Sequence, residues 1–134
     1  MDQGAPIHGI GLQAHWNIFG PSLDEIRRAL EDYAALGLPI HITELDVSVF
    51  RFEDRRTDLT KPIPAMLELQ ADVYEKIFRL FREYRQQIDN VTFWGVADDY
   101  TWLDDFPVRG RKNWPMLFDE QHRPKESFFR LVNF

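Results

Sequence analysis

Apolar and polar residues alternate from Ile7 to His15 (IHGIGLQAH), with Ile, Leu and Ala on one side and Gly9, Gly11, Gln13 and His15 on the other. A period of two predicts a strand. The pattern then changes. Ser22 opens an S-x-x-E capping box with Glu25, just after Pro21, and Ile26, Ala29, Leu30, Tyr33 and Ala34 recur at helical spacing to form one apolar stripe. Gly37 stands where a helix C-cap belongs and Pro39 forbids continuation, so the helix ends there. Ile40 to Val47 (IHITELDV) is rich in β-branched residues and predicts a second strand. Arg51 to Pro64 is charged and proline-bearing, hence a loop. A long helix is predicted over Ala65 to Gln87, with Leu69, Val73, Ile77, Leu80, Phe81 and Tyr84 on its buried side. Val91 to Val96 (VTFWGV) predicts a third strand, 97–124 a long polar and aromatic connection, and Lys125 to Val132 a closing helix.

The order β-α-β-α-β-loop-α implies parallel strands joined by right-handed crossovers, an α/β fold. No repeat, low-complexity tract or flexible linker divides the chain, so residues 1–134 are read as a single domain. Composition narrows the chemistry. Twenty-two acids against 16 Lys and Arg give a formal charge of −6, which argues against a general nucleic-acid binder. The absence of cysteine excludes disulfides, thiolate zinc sites and cysteine nucleophiles. No apolar run approaches the ~20 residues that span a bilayer, so no membrane partner is expected.

Aromatic residues make up 14% of the chain, with tryptophans at 16, 94, 102 and 114. They can fill a core, or they can stand as flat platforms beside polar groups, the combination that suits the C–H faces and hydroxyl edges of sugar rings. Placement decides between these. In parallel α/β units, chemistry gathers at the carboxyl ends of the strands. Strand periodicity puts Gln13 and His15 on one face of the first strand, Glu44 and Asp46 on one face of the second, and Thr92 and Trp94 on one face of the third. Glu44 and Asp46 are then roughly 6–7 Å apart along the backbone. A histidine on the neighbouring strand can bridge them through its two ring nitrogens. A Glu44 carboxylate held in one orientation by that bridge is what a carboxylate nucleophile requires. Gln13 offers amide groups to sugar hydroxyls, and Trp94 and Trp102 offer faces to the rings. His8 and His41, which alternate away from this face, are read as structural, and His122 as a loop residue. Asp98-Asp99 and Asp104-Asp105 are read as solvated surface, with Arg109 and Arg111 as their ion-pair partners.

Three segments carry a family resemblance: G-I-G-L-Q-A-H-W at Gly9 to Trp16, I-T-E-L-D-V at Ile42 to Val47, and V-T-F-W-G-V-A-D-D-Y-T-W-L at Val91 to Leu103. In order and spacing they resemble glycoside hydrolase family 10, the endo-β-1,4-xylanases. The stretch from Phe106 to Gln121 is most similar to bacterial intracellular members. The resemblance implies the C-terminal portion of a (β/α)8 barrel, strands six to eight with their helices, with the N-terminal half of the barrel absent. A complete barrel typically needs ~250 residues. It implies that Glu44 is the nucleophile of a retaining mechanism, that His15 and Asp46 support it, and that Gln13, Trp94 and Trp102 bind substrate. It implies xylan or a xylo-oligosaccharide as the partner, with no cofactor and no metal. The acid/base glutamate of the family belongs to a W-x-x-x-N-E segment, which these 134 residues do not contain. A partial barrel has open sheet edges, so self-association or a complementing N-terminal barrel fragment is expected. Lack of cysteine and the intracellular-like loop together predict a cytoplasmic location. Two other functions fit the same residues: a non-catalytic xylan-binding module using Trp94, Trp102 and Gln13, and a metal-dependent hydrolase ligated by His15, Glu44 and Asp46.

Overall fold

One long central strand organises the sheet in the computed structural model, which describes residues 4–133. The chain runs β1 (Ile10–Leu12), β2 (His15–Asn17), α1 (Leu23–Ala34), β3 (Ile40–Ser48), α2 (Pro64–Glu83), β4 (Ile88–Phe93), a 3₁₀ turn (Trp102–Asp104) and α3 (Glu126–Val132). β3 pairs in parallel with β1 and β2 along one edge and with β4 along the other. This is the expected α/β architecture, an open sheet with both outer edges unpaired among the described residues.

The strand predicted over Ile7 to His15 is two short strands. Leu12 lies opposite Ile42 but His15 lies opposite Asp46, so β3 gains one residue across the break. Ala14 absorbs the irregularity in a left-handed backbone conformation, φ 65°. Hydrogen bonds bridge the interruption, from the Glu44 amide to the Gln13 carbonyl at 3.0 Å and from the Asp46 amide to the Ala14 carbonyl at 3.3 Å. The bulge is silent in the sequence, because Leu12, Ala14 and Trp16 keep facing the core on either side of it.

A second irregularity lies between Ile42 and Leu45, opposite Val91 and Phe93. Strict alternation would set Ile40 and Ile42 apart from Leu45 and Val47, yet all four are fully buried in one apolar cluster. The register shift takes up the odd step. It also corrects the placement of His41. That residue is exposed beside Gly9, Gly11 and Thr43, on the sheet face that the helices leave open.

The helices cover the other face. α1 begins at the expected capping box, where the Glu25 amide donates to Ser22 Oγ and the Ser22 amide to Glu25 Oε2. It buries Ile26 and Leu30. α2 starts at Pro64, where the missing N–H costs nothing in the first turn, and ends at Glu83, four residues short of the predicted Gln87. Its buried stripe is Gln70, Ala71, Tyr74, Ile77, Leu80 and Phe81. Leu69, expected inside, is 38% exposed. Polarity hides Gln70 from a hydrophobic reading, but its amide donates to the carbonyls of Val47 and Trp114, each at 2.7 Å. β4 starts at Ile88 rather than Val91. The Trp94 amide still donates to the Leu45 carbonyl at 3.0 Å, and the chain then leaves the sheet at Gly95 (φ 155°), where a Cβ would lie 2.7 Å from Met116 Cε. α3 packs on α2, with Arg130 paired to Glu68 and Asp72 of that helix.

Replacing Gln70 with leucine keeps the volume but takes the side-chain donor from the buried Val47 carbonyl and leaves the Trp114 carbonyl to Lys125 Nζ at 2.9 Å. A lost partner on a buried carbonyl costs roughly 1–3 kcal/mol, so Gln70→Leu should lose about 1–3 kcal/mol in denaturant unfolding. An unchanged midpoint would show that α2 does not hold the carboxyl end of β3 in this way.

Candidate active site

The carboxyl ends of β2 and β3 bring a histidine between two acids. Because His15 lies opposite Asp46, its imidazole reaches both carboxylates of β3. Nδ1 is 3.0 Å from Asp46 Oδ2, and Nε2 is 3.0 Å from Glu44 Oε2. Trp102 completes the cluster from the 3₁₀ turn, donating from Nε1 to Asp46 Oδ2 at 2.8 Å. An ionised Asp46 carboxylate only accepts, and in that state Nδ1 of His15 is the N–H that donates to the same oxygen. The Nε2 to Glu44 contact needs one proton, on the imidazole or on the acid.

The two acids differ in access. The Asp46 side chain is 1% exposed, whereas Glu44 is 24% exposed and His15 23%. Burial drives the Asp46 carboxyl above its ordinary range, opposed by the Trp102 hydrogen bond and by the charge and hydrogen bond of His15, while the Glu44 charge adds to the rise. Its Oδ1 is buried with no hydrogen-bond partner in the structure. Asp46 thus faces the histidine from inside, and Glu44 faces the open side. Aromatic rings wall the cluster. The His15 ring centroid lies 4.9 Å from that of Trp102 and 6.4 Å from that of Trp94, and Phe106 stacks on Trp102 at 5.1 Å. Trp94 remains 48% exposed. The Gln13 side chain is exposed at the strand break beside Glu44, to whose amide its carbonyl is bonded.

His15, Glu44, Asp46 and Trp102 are therefore in direct contact, with Trp94 flanking them and Gln13 at the rim. Trp16 and Trp114 pack in or against the core instead.

Several acids expected on the surface are built in. Asp98 is 1% exposed; its carboxylate accepts from the Met116 amide at 2.8 Å and from Lys125 Nζ at 2.8 Å. Asp104 accepts from Lys112 Nζ and from the Asn113 amide. Only Asp99 and Asp105 are solvent-facing, Asp99 pairing with His122 and Asp105 accepting from the Gly110 amide. Arg111 was expected to pair with these acids, but it turns to the 51–64 loop. It donates to the Asp54 carbonyl at 2.6 Å and lies over the Phe50 ring at 4.1 Å. Sequence reasoning missed these because a partner 8, 27 or 57 residues away on another segment leaves no local pattern. Phe106 stands only four residues after Trp102, in a loop with no strand or helix period to set the two rings together.

The model of glycosyl hydrolase family 10 matches residues 1–134. The chain belongs to that family. Among family 10 relatives, it is 67% identical over 132 residues to endo-1,4-beta-xylanase B of Paenibacillus barcinonensis and 65% identical over 132 residues to an endo-1,4-beta-xylanase of Geobacillus stearothermophilus. It covers 98% of its own length and 40% of theirs in both cases. It superposes on the GH10 xylanase of Thermobacillus composti with a TM-score of 0.96 at 64% identity, covering 98% of this chain and 43% of that one. Its open sheet is part of a (β/α)8 barrel, and it spans about two fifths of the curated relatives it matches.

Two titrations test the electrostatics of this family 10 site. Trp102→Phe removes a donor to ionised Asp46, so the Asp46 carboxyl should titrate at a higher pH than in the parent, read by NMR of the carboxyl carbon. A downward shift or none would show that the indole does not stabilise the charged form. Burial pushes Asp98 up to about 6, against the pull of Lys125, the Met116 amide and Lys112. A carboxyl raised on folding holds its proton more tightly in the folded chain. Its contribution to stability is therefore lost as pH climbs from the ordinary carboxylate range through about 6, and regained on acidification. The carboxyl-carbon midpoint of Asp98 should lie near 6; one at 3.8 would contradict the burial argument.

Proposed function

We propose that this chain is the nucleophile-bearing part of a retaining endo-1,4-β-xylanase, which hydrolyses internal β-1,4-xylosidic bonds. The observation that carries the reading is the single imidazole set between accessible Glu44 and buried Asp46 at 3.0 Å from each. Glu44 attacks the anomeric carbon as a carboxylate while the proton of its hydrogen bond rests on His15. Asp46 balances that imidazolium from the buried side, and the Trp102 indole keeps Asp46 from turning away. The glycosidic C–O bond breaks as the acid/base carboxyl gives its proton to the leaving oxygen, leaving a glycosyl ester on Glu44; water, whose proton returns to that carboxyl, then hydrolyses the ester and frees Glu44.

The second carboxyl of a retaining pair stands about 5–5.5 Å from the first. Asp46 does not serve as that acid. It shares the imidazole with Glu44 and is shielded by Trp102, so it cannot reach the far side of a glycosidic bond. The acid/base residue comes from the remaining barrel strands, which pair with the free edges of β1 and β4 and complete the site. Trp94 and Trp102 then face the sugar rings, with Gln13 bonding to hydroxyls. A cytoplasmic location fits the loop from Phe106 to Gln121.

The metal-hydrolase reading is not favoured. Both nitrogens of His15 already face carboxylate oxygens, and among the described residues no group of three or more His, Asp or Glu is arranged to hold an ion. A binding module would need Trp94 and Trp102 but not the His15 bridge.

The deciding experiment mixes this chain with a polypeptide holding the other three fifths of the Paenibacillus barcinonensis enzyme and measures reducing sugar released from xylan. The mixture should be active and the chain alone inactive, with Glu44→Gln lowering the rate by at least about 10³-fold, as loss of a nucleophile does. An active Glu44→Gln complex would overturn the assignment. Xylo-oligosaccharide binding by the chain alone, abolished in Trp94→Ala, with no turnover in any complex, would favour the binding module.

A further inference from the structure

The 3₁₀ turn Trp102–Asp104 is a three-residue element that must aim an indole at Asp46, and the contacts at its far end explain how it does so. Asp104 closes the turn. Its Oδ1 accepts from the Asn113 amide at 2.8 Å and its Oδ2 from Lys112 Nζ at 2.9 Å. Lys112 Nζ also donates to the Asp98 carbonyl at 2.5 Å, at the base of the same loop, and lies 3.5 Å from Glu120. The adjoining Asn113 is fully buried; its Nδ2 donates to Ser48 Oγ at 2.8 Å, and its Oδ1 accepts from the Val49 amide at 3.3 Å. Ser48 is two residues beyond Asp46 on β3. The contacts therefore close a ring, from Asp46 through the Trp102 indole to Asp104, then through Asn113 back to the end of the strand that carries Asp46.

We infer that the Asp104–Lys112 ion pair is the positioning device for Trp102, holding its indole on Asp46 and so fixing the wall of the substrate cleft. Neither residue touches the histidine or Glu44, and both act through the turn. The pair is suited to this role by its exposure. Each side chain is 26% exposed, covered enough for the charges to be felt yet outside the core. Burial pulls the Lys112 ammonium down, but the hydrogen bond and charge of Asp104, with the charge of Glu120, outweigh it and leave it above its ordinary value. Within the turn, Thr101 Oγ1 accepts from the Leu103 amide, the Asp104 amide donates to the Thr101 carbonyl and the Asp105 amide to the Trp102 carbonyl, which shapes the turn, while Phe106 stacks on the indole ring.

This inference rests on the reading of the His15 cluster as the site, and its test is spectroscopic, so it can fail while the xylan reading stands. The reporter is the Trp102 indole N–H resonance, identified by its disappearance in Trp102→Phe. In Lys112→Met its hydrogen exchange should quicken about tenfold or more and its shift should move toward the solvent-exposed value, as for a locally opened segment. Trp16 and Trp114 should keep their resonances. Lys112→Arg, which retains the charge, should restore most of the protection. Asp104→Asn is the second variant, because it keeps an oxygen for the Asn113 amide while removing the charge, and it should behave like Lys112→Met. A folded variant of either kind with an unchanged Trp102 signal overturns the proposal. So does uniform loosening of all four tryptophans, failure of both variants to fold, or a Lys112→Arg variant no better than Lys112→Met.

Discussion

An imidazole can hold two carboxylates of a neighbouring strand at once only if the two strands are locked in one register. His15 opposite Asp46 is that register, and the geometry of the site depends on it. A slip of one residue would turn the side chains of a strand to its other face. It would bury His15 among the helices and carry Asp46 into the apolar layer without a donor, at a cost of several kcal/mol for an unpaired carboxylate. The register in turn needs the extra residue that β3 gains across the β1–β2 break. Ala14 takes the left-handed turn there although its Cβ makes that conformation unfavourable, by roughly 1–2 kcal/mol.

The sheet has two faces with different obligations. On the helix side, Ile40, Ile42, Leu45 and Val47 are fully buried against α1 and α2. On the other side, Asp46 is just as buried, but under His15 and Trp102 rather than under aliphatic carbon. Polar burial of that kind is stable only when donors are supplied, and the loop after β4 supplies one of them. The same loop rests on a second buried pair, Asp98 with Lys125, and on the Gln70 amide, which ties α2 to the carbonyls of Val47 and Trp114. Helix, strand end and loop are thus fastened to each other by hydrogen bonds to groups that have no water available. An open-edged partial barrel keeps a well-defined cluster because the local ties do not run through the free edges.

The elements were legible wherever one face is apolar and the other polar. The capping box at Ser22 and Glu25 marked the start of α1 to the residue, since its partners are three positions apart. α2 was legible as a helix but its inward face was rotated, because Gln70 scores as polar while its amide is bonded inside. β4 was misplaced toward Trp94 because Val91 to Val96 is the more hydrophobic stretch, whereas pairing with β3 begins at Ile88. The convergence of His15, Glu44 and Asp46 was legible, as it needs only adjacent parallel strands and a period of two. The environments of Asp98, Asp104 and Arg111 were not, since nothing local distinguishes an acid bound to a lysine eight or twenty-seven residues away from one in water.

Sequence alone determined the α/β order of strands and helices, the pairing of acids on one strand with a histidine on the next, and the family. These follow from periodicities and motifs whose partners are close in the chain. Tertiary structure decided the bulge that brings His15 and Asp46 level, which acid is sealed and which is open, and the loop contacts that set Trp102 on Asp46. Those depend on hydrogen-bond geometry and burial between segments far apart in sequence, where a shift of one residue or the loss of one donor changes the outcome and no local pattern records it.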